Sequence, residues 1–117
     1  MRMNEVTYTD AQPIEGYGPG FFRIGGRVFE GPIAVLPTGV EAWGGLDDAA
    51  TLLAAREALD VLFVGTGAEI AHLPGDLRSA LEAAGIGVET MNSPAACRTY
   101  NVLLGEGRRV GLALLPV

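Results

Sequence analysis

Residues 90–109 read TMNSPAACRTYNVLLGEGRR, a stretch that holds the only cysteine of the chain and a strongly marked helix start. Ser93 is a good N-cap, because its hydroxyl can accept a hydrogen bond from a backbone N–H that the first helical turn leaves without a partner. Pro94 then falls at the first helical position, where a missing N–H costs nothing. Neither Gly nor Pro recurs before Gly105. The spacing therefore predicts a helix over 94–104, stopped by Gly105. On it Ala96, Tyr100 and Leu103 share an apolar face, and Cys97, Asn101 and Leu104 a mixed one.

Outward from this helix the pattern alternates. Residues 86–91 lead into it as a strand, and 109–115, rich in Val and Leu, leave it as another. Upstream, the apolar run at 61–64 fits a strand covered on both faces, and Gly65-Thr66-Gly67 ends it. The segment 76–84 places Leu77, Ala80, Leu81 and Ala84 on one helical stripe, with Gly85 as its stop. Asp47-Asp48 opens an Ala- and Leu-rich stretch, 49–59, of high helix propensity. Before that the chain is β-like. Two short runs, 21–24 and 27–30, flank Gly25-Gly26 and predict a hairpin. Runs at 33–36 and 40–43 predict two more strands, and the turn-rich residues 1–20 read as an extended N-terminal arm. The expectation is one α/β domain over 21–117. Its central sheet is mixed and mostly parallel, with 61–64 parallel to 86–91. The hairpin is a small antiparallel addition, so that one face is covered partly by β structure and partly by helix.

Composition narrows the function classes. A chain of 117 residues, 49% hydrophobic, is long enough for one domain with a sizeable core. Its net charge of -6 argues against a general nucleic-acid or anionic-membrane surface. All eight basic residues are arginine, which removes Schiff-base and P-loop lysine chemistry. One cysteine and one histidine, His72, make neither an internal disulfide nor a His/Cys metal cluster, so no metal or cofactor is expected. The N-terminal residues lack the apolar run of a signal peptide, and no stretch approaches the ~20 apolar residues of a membrane span. The expected location is cytoplasmic.

A candidate ligand site follows from the order of elements. In open α/β sheets ligands sit beyond the carboxyl ends of parallel strands, where Gly65-Thr66-Gly67 and the Ser93 helix start both fall. A helix N-terminus offers backbone N–H groups to an anion. The candidate is thus a small anionic ligand held by Gly65, Thr66, Gly67, Ser93, Ala95, Ala96 and Arg98, with Asn101 fixing the polar end. The plainer reading is that the glycines make turns, Ser93 caps, and Asn101 tethers a loop backbone. Cys97 near the helix start has some thiolate stabilisation available, but a small buried apolar cysteine is the simpler role. No residue is assigned a catalytic role. Arg108 is expected to tie the turn after the helix to a strand end. Trp43, Phe21 and Phe22 read as core unless they are exposed together.

Three pieces of the chain, FFRIGGRVFEGPIAVLPTGVEAW, DVLFVGTG and GIGVETMNSPAACRTYNVLLGEGRRVGLALLP, resemble the domain-of-unknown-function family 498/598. The resemblance runs over about 21–116, and the motif positions are Gly25, Gly26, Pro37, Trp43, Gly65, Thr66, Gly67, Ala96, Asn101 and Arg108. It implies a three-layer α/β fold around a mixed sheet and a bacterial member of the family. The family includes a mitochondrial respiratory complex I assembly factor, so the resemblance implies a non-enzymatic binding or assembly protein with a protein partner. A small enzyme or binding protein for an anionic metabolite is the alternative. The family pattern does not require cysteine at position 97, which weighs against a cysteine mechanism.

Overall fold

A computed structural model describes residues 11–117. Strands β1 (Ile14–Gly18), β2 (Phe21–Ile24) and β3 (Arg27–Glu30) form one antiparallel sheet in that order. Five more strands form the central sheet: β4 (Ile33–Leu36), β5 (Gly39–Ala42), β6 (Val61–Thr66), β7 (Gly87–Met91) and β8 (Val110–Leu115). Their spatial order is β5-β4-β8-β6-β7. β8, β6 and β7 run parallel, while β4 is antiparallel to both β8 and β5. The helices are α1 (Ala50–Leu53), α2 (Gly75–Ala83) and α3 (Ser93–Gly105).

The period-two alternation of side chains divides the core into two layers. Ile33, Val35, Phe63, Val110, Leu112 and Leu114 face α3 and the three-stranded sheet, where they meet Ile14, Phe22, Ile24, Ala96, Cys97 and Tyr100. Ala34, Leu36, Leu62, Val64 and Ala113 face the other way, onto Trp43, Leu52, Leu59, Leu77, Leu81 and Ile86. The molecule therefore has three layers, and one face of the central sheet is covered jointly by helix and β structure. Trp43 and Phe22 are buried core residues, at 3% and 0% exposure, so they form no exposed aromatic patch.

The hairpin at Gly25-Gly26 has both residues at positive φ, +59° and +77°, the backbone of a type I′ turn. Of the stretch read as an extended arm, residues 14–18 are β1, a third strand paired with β2; residues 1–10 lie outside the described residues. The strand is hard to see in sequence because only Ile14 of the five is buried, and two are glycine. The Ala- and Leu-rich segment is not one helix. α1 ends at Leu53, and 56–58 form a single 3₁₀ turn. Leu59 then turns extended (φ -117°, ψ 136°) and is buried, because the chain must reach β6 two residues later. Packing overrides propensity here. Asp48 organises the entry instead. Its carboxylate accepts from the Thr51 N–H (3.0 Å), the Thr51 hydroxyl (2.6 Å) and the Gly44 N–H (2.9 Å). Those hydrogen bonds, the Thr51 hydroxyl first, hold its pKa below the usual carboxylate value.

α3 runs one residue past its expected last residue, Leu104, and takes in Gly105. Its left-handed residue is Gly107 (φ +79°), not Gly105. The Arg108 N–H donates to Leu103 O and the Gly107 N–H to Leu104 O, the Schellman pattern. Arg108 thus closes the helix through its backbone, and the side chain that reaches a strand end is that of Arg109, paired with exposed Asp60 at 3.2 Å.

Candidate functional site

The connection after β6 leads to α2 on one face of the sheet, and that after β7 leads to α3 on the other. Between the carboxyl ends of these neighbouring parallel strands lies the topological switch point, the usual crevice of an open α/β sheet. The structure brings Gly65, Thr66, Gly67 and Ser93 together there. Ser93 is fully buried. Its Oγ accepts from the Gly67 N–H at 2.9 Å and donates to Leu115 O at 2.6 Å, while its N–H donates to Gly67 O at 2.7 Å. One side chain thus joins the ends of β6 and β8 to the start of α3.

Ser93 is consequently not the cap. Asn92 is the N-cap: extended (φ -66°, ψ 158°), with its Oδ1 accepting from the Ala95 N–H at 2.8 Å. Both residues are strong capping types, and Pro94 is tolerated throughout the first turn, so the local sequence did not separate them. The difference matters for chemistry. The Ser93 N–H is held by Gly67, Pro94 has none, and the Ala95 and Ala96 N–H groups are held by Asn92 Oδ1 and O. The backbone donors that an anion would need at this helix start are engaged by the protein itself. Gly65 likewise admits the helix rather than a ligand. A Cβ there would stand 2.7 Å from Ser93 Oγ and 2.8 Å from Ser93 Cα.

The remaining predicted site residues separate. Ala96 is buried in the core; Arg98 is exposed. Asn101 lies eight residues along the helix, about 12 Å from Ser93. There its Oδ1 accepts from the Ile14 N–H at 2.8 Å and its Nδ2 donates to Ile14 O at 2.9 Å. Next to it the Tyr100 hydroxyl donates to Gln12 O at 2.9 Å. Asn101 is therefore a tether, to the strand before the hairpin.

What the sequence did not disclose at the switch point is Thr66 as a hub. Its hydroxyl accepts from the Ala71 N–H (2.9 Å) and lies within bonding distance of Glu69 O (2.8 Å) and Met91 O (3.2 Å). This folds the loop 67–71 back over the end of β7. Beside it a shallow cleft of about 160 Å³ is lined by Ile70, Ala71, His72 and Thr90. Ile70 stands 66% exposed at its wall, and the Thr90 hydroxyl is held by Arg78 Nη2 at 3.0 Å. No local sequence signal marks Ile70 as exposed, since an apolar residue in a loop reads equally as a buried anchor.

Cys97 is buried at 4% exposure in the core layer under α3. Burial pushes its thiol from 9.0 up to about 11, outweighing the opposing charge of Arg98. The thiol is protonated at neutral pH and is not poised as a nucleophile. Burial raises the Tyr100 hydroxyl as well. Between pH 9.0 and about 11 the native chain keeps the Cys97 proton and the unfolded chain releases it. Stability is therefore undiminished below pH 9 and falls as pH rises through this window. Urea midpoints at pH 8, 10 and 11 should decline, and Cys97→Ala should remove part of the decline between pH 9 and 11. A flat profile in the parent protein would count against the raised thiol.

Among the described residues there is no group of His, Cys, Asp and Glu able to hold a metal, and no helix long and apolar enough to cross a membrane. Comparison with known proteins places these features. The model of the family described as "Protein of unknown function (DUF498/DUF598)" matches residues 14–115. An uncharacterized protein of Rhodobacter capsulatus is 50% identical over 117 residues, covering all of this chain and 94% of that one. The NADH dehydrogenase (ubiquinone) 1 alpha subcomplex assembly factor 3 of Homo sapiens is 34% identical over 113 residues, 91% of this chain. This chain spans only 61% of that protein's length. In three dimensions, a crystal structure described as an outer membrane protein from Bartonella henselae is similar at a TM-score of 0.85 and 35% identity, covering 92% of this chain and 97% of that one.

Proposed function

We propose, because the chain belongs to the DUF498/DUF598 family, that it is a protein-binding assembly factor acting on a respiratory NADH dehydrogenase, and not an enzyme. The observation that carries this reading is the relation to the assembly factor 3 proteins, which reaches across 91% of this chain in the human case. The switch-point geometry supports the reading: polar groups that would serve a small anion are spent on joining β6, β8 and α3. A bacterial cytoplasmic setting fits the same picture.

The test is affinity purification of the tagged chain from its host, followed by mass spectrometry, alongside native-gel analysis of a strain lacking it. Subunits of the NADH dehydrogenase should co-purify, and the mature complex should fall in abundance in the deletion strain. Normal complex levels together with no reproducible subunit capture would overturn the reading.

A further inference from the structure

We propose that β1, with the two residues before it, is a releasable strap that opens from α3 and β2 as a unit while the rest of the domain stays folded. The inference stands on how unevenly the three-stranded sheet is anchored, and it does not depend on the assembly-factor reading. β2 buries Phe22 and Ile24 and pairs with β3 across the Gly25-Gly26 turn, to which β1 adds the hydrogen bond from the Gly26 N–H to Glu15 Oε1. β1 buries one large side chain, Ile14; Gly16 and Gly18 bring none, and Glu15 and Tyr17 are exposed. Its ladder to β2 is interrupted by an irregularity between Ile14 and Gly16.

What holds β1 is therefore hydrogen bonding more than packing. Asn101 takes both the N–H and the C=O of Ile14, Tyr100 takes Gln12 O, and Glu15 Oε1 accepts from the Gly26 N–H at 3.0 Å. Each such bond shifts an opening equilibrium by about tenfold at most, because water replaces it when it breaks. Segments with few buried apolar contacts and outlying hydrogen bonds are the ones that open below the global free energy. Opening uncovers the face of α3 one turn before Asn101. Cys97 sits there, in the same buried cluster as Ile14, Phe22 and Tyr100. As the only cysteine it reports the event.

The experiment is amide hydrogen exchange by NMR on the whole chain across low urea, with thiol-reagent labelling of Cys97 in parallel. Exchange at Ile14 and labelling at Cys97 should depend only weakly on urea, as for an opening that exposes little surface, while Val64 and Leu112 show the steep dependence of global unfolding. Asn101→Ala should speed Ile14 exchange and Cys97 labelling by roughly 5- to 30-fold in the absence of urea. Tyr100→Phe keeps the ring and removes one bond, so it should move both readouts the same way by less. If Ile14, Cys97, Val64 and Leu112 all follow one steep urea dependence, or if Tyr100→Phe and a folded Asn101→Ala both leave Cys97 labelling unchanged, there is no strap.

Discussion

Gly65→Ala should destabilise the protein by about 3 kcal/mol, at the upper end for inserting one carbon into a filled space. The new Cβ would meet Ser93 Oγ at 2.7 Å, Ser93 Cα at 2.8 Å and Leu114 Cδ2 at 2.8 Å. A flexible side chain can swing away, but Ser93 Cα is backbone, fixed by the first turn of α3 and by two hydrogen bonds to Gly67. Relief requires the helix start to lift off the end of β6. A urea titration checks this: the midpoint should drop sharply with an unchanged slope. A loss below about 0.5 kcal/mol, the ordinary scatter of harmless substitutions, would mean that the helix start yields freely.

Ser93→Ala should cost a similar amount, about 3 kcal/mol, by the opposite route. Nothing is overpacked; instead the Gly67 N–H and Leu115 O lose the partner that Oγ provides inside the protein. A buried group left without its hydrogen bond costs about 1–3 kcal/mol, and here two are orphaned by one change. Equilibrium unfolding measures it, and a variant with native stability would show that water reaches the junction. The two substitutions touch each other, so their effects should not add. Removing Oγ takes away one of the clashes that Gly65→Ala creates and leaves the backbone clash in place. The double variant should therefore be less destabilised than the sum of the singles.

Much of the fold was legible because its signals are local. The apolar runs at 33–36, 61–64 and 110–115 mark strands without any tertiary knowledge, and Gly25-Gly26 and Gly85 announce their turns. The failures lie where distant residues decide. The helix propensity of 49–59 gives way because Leu59 has to be extended and buried at the entrance to β6. β1 is nearly silent in sequence because its edge is satisfied by Asn101, 87 residues away. At the switch point Gly65, Thr66, Gly67 and Ser93 lie together, as the order of elements implies, while Arg98 and Asn101 lie apart from them. Ser, Gly and Thr are equally suited to cradle an anion and to lock three elements together. Only the identity of the acceptors, Leu115 O and Met91 O among them, distinguishes the two. Asn101 illustrates the converse. Its mid-helix position suggested a tether, and the tether was found, although its partner could not have been named.

The place of β8 has a consequence for how the chain is made. It is the last strand in sequence and the middle strand of the five-stranded sheet, with β4 on one side and β6 on the other. Ile33 lies opposite Leu114, and Val61 opposite Val110. Until residues 110–115 have emerged from the ribosome, the β4–β5 hairpin and the β6–β7 pair have nothing to join them. Each then presents an unfilled edge and bare apolar side chains. A nascent chain of this topology cannot settle piece by piece from its N-terminus. It must wait for its last strand and then close the sheet over long sequence separations, which makes folding slow relative to its size and leaves the waiting chain exposed to wrong pairings.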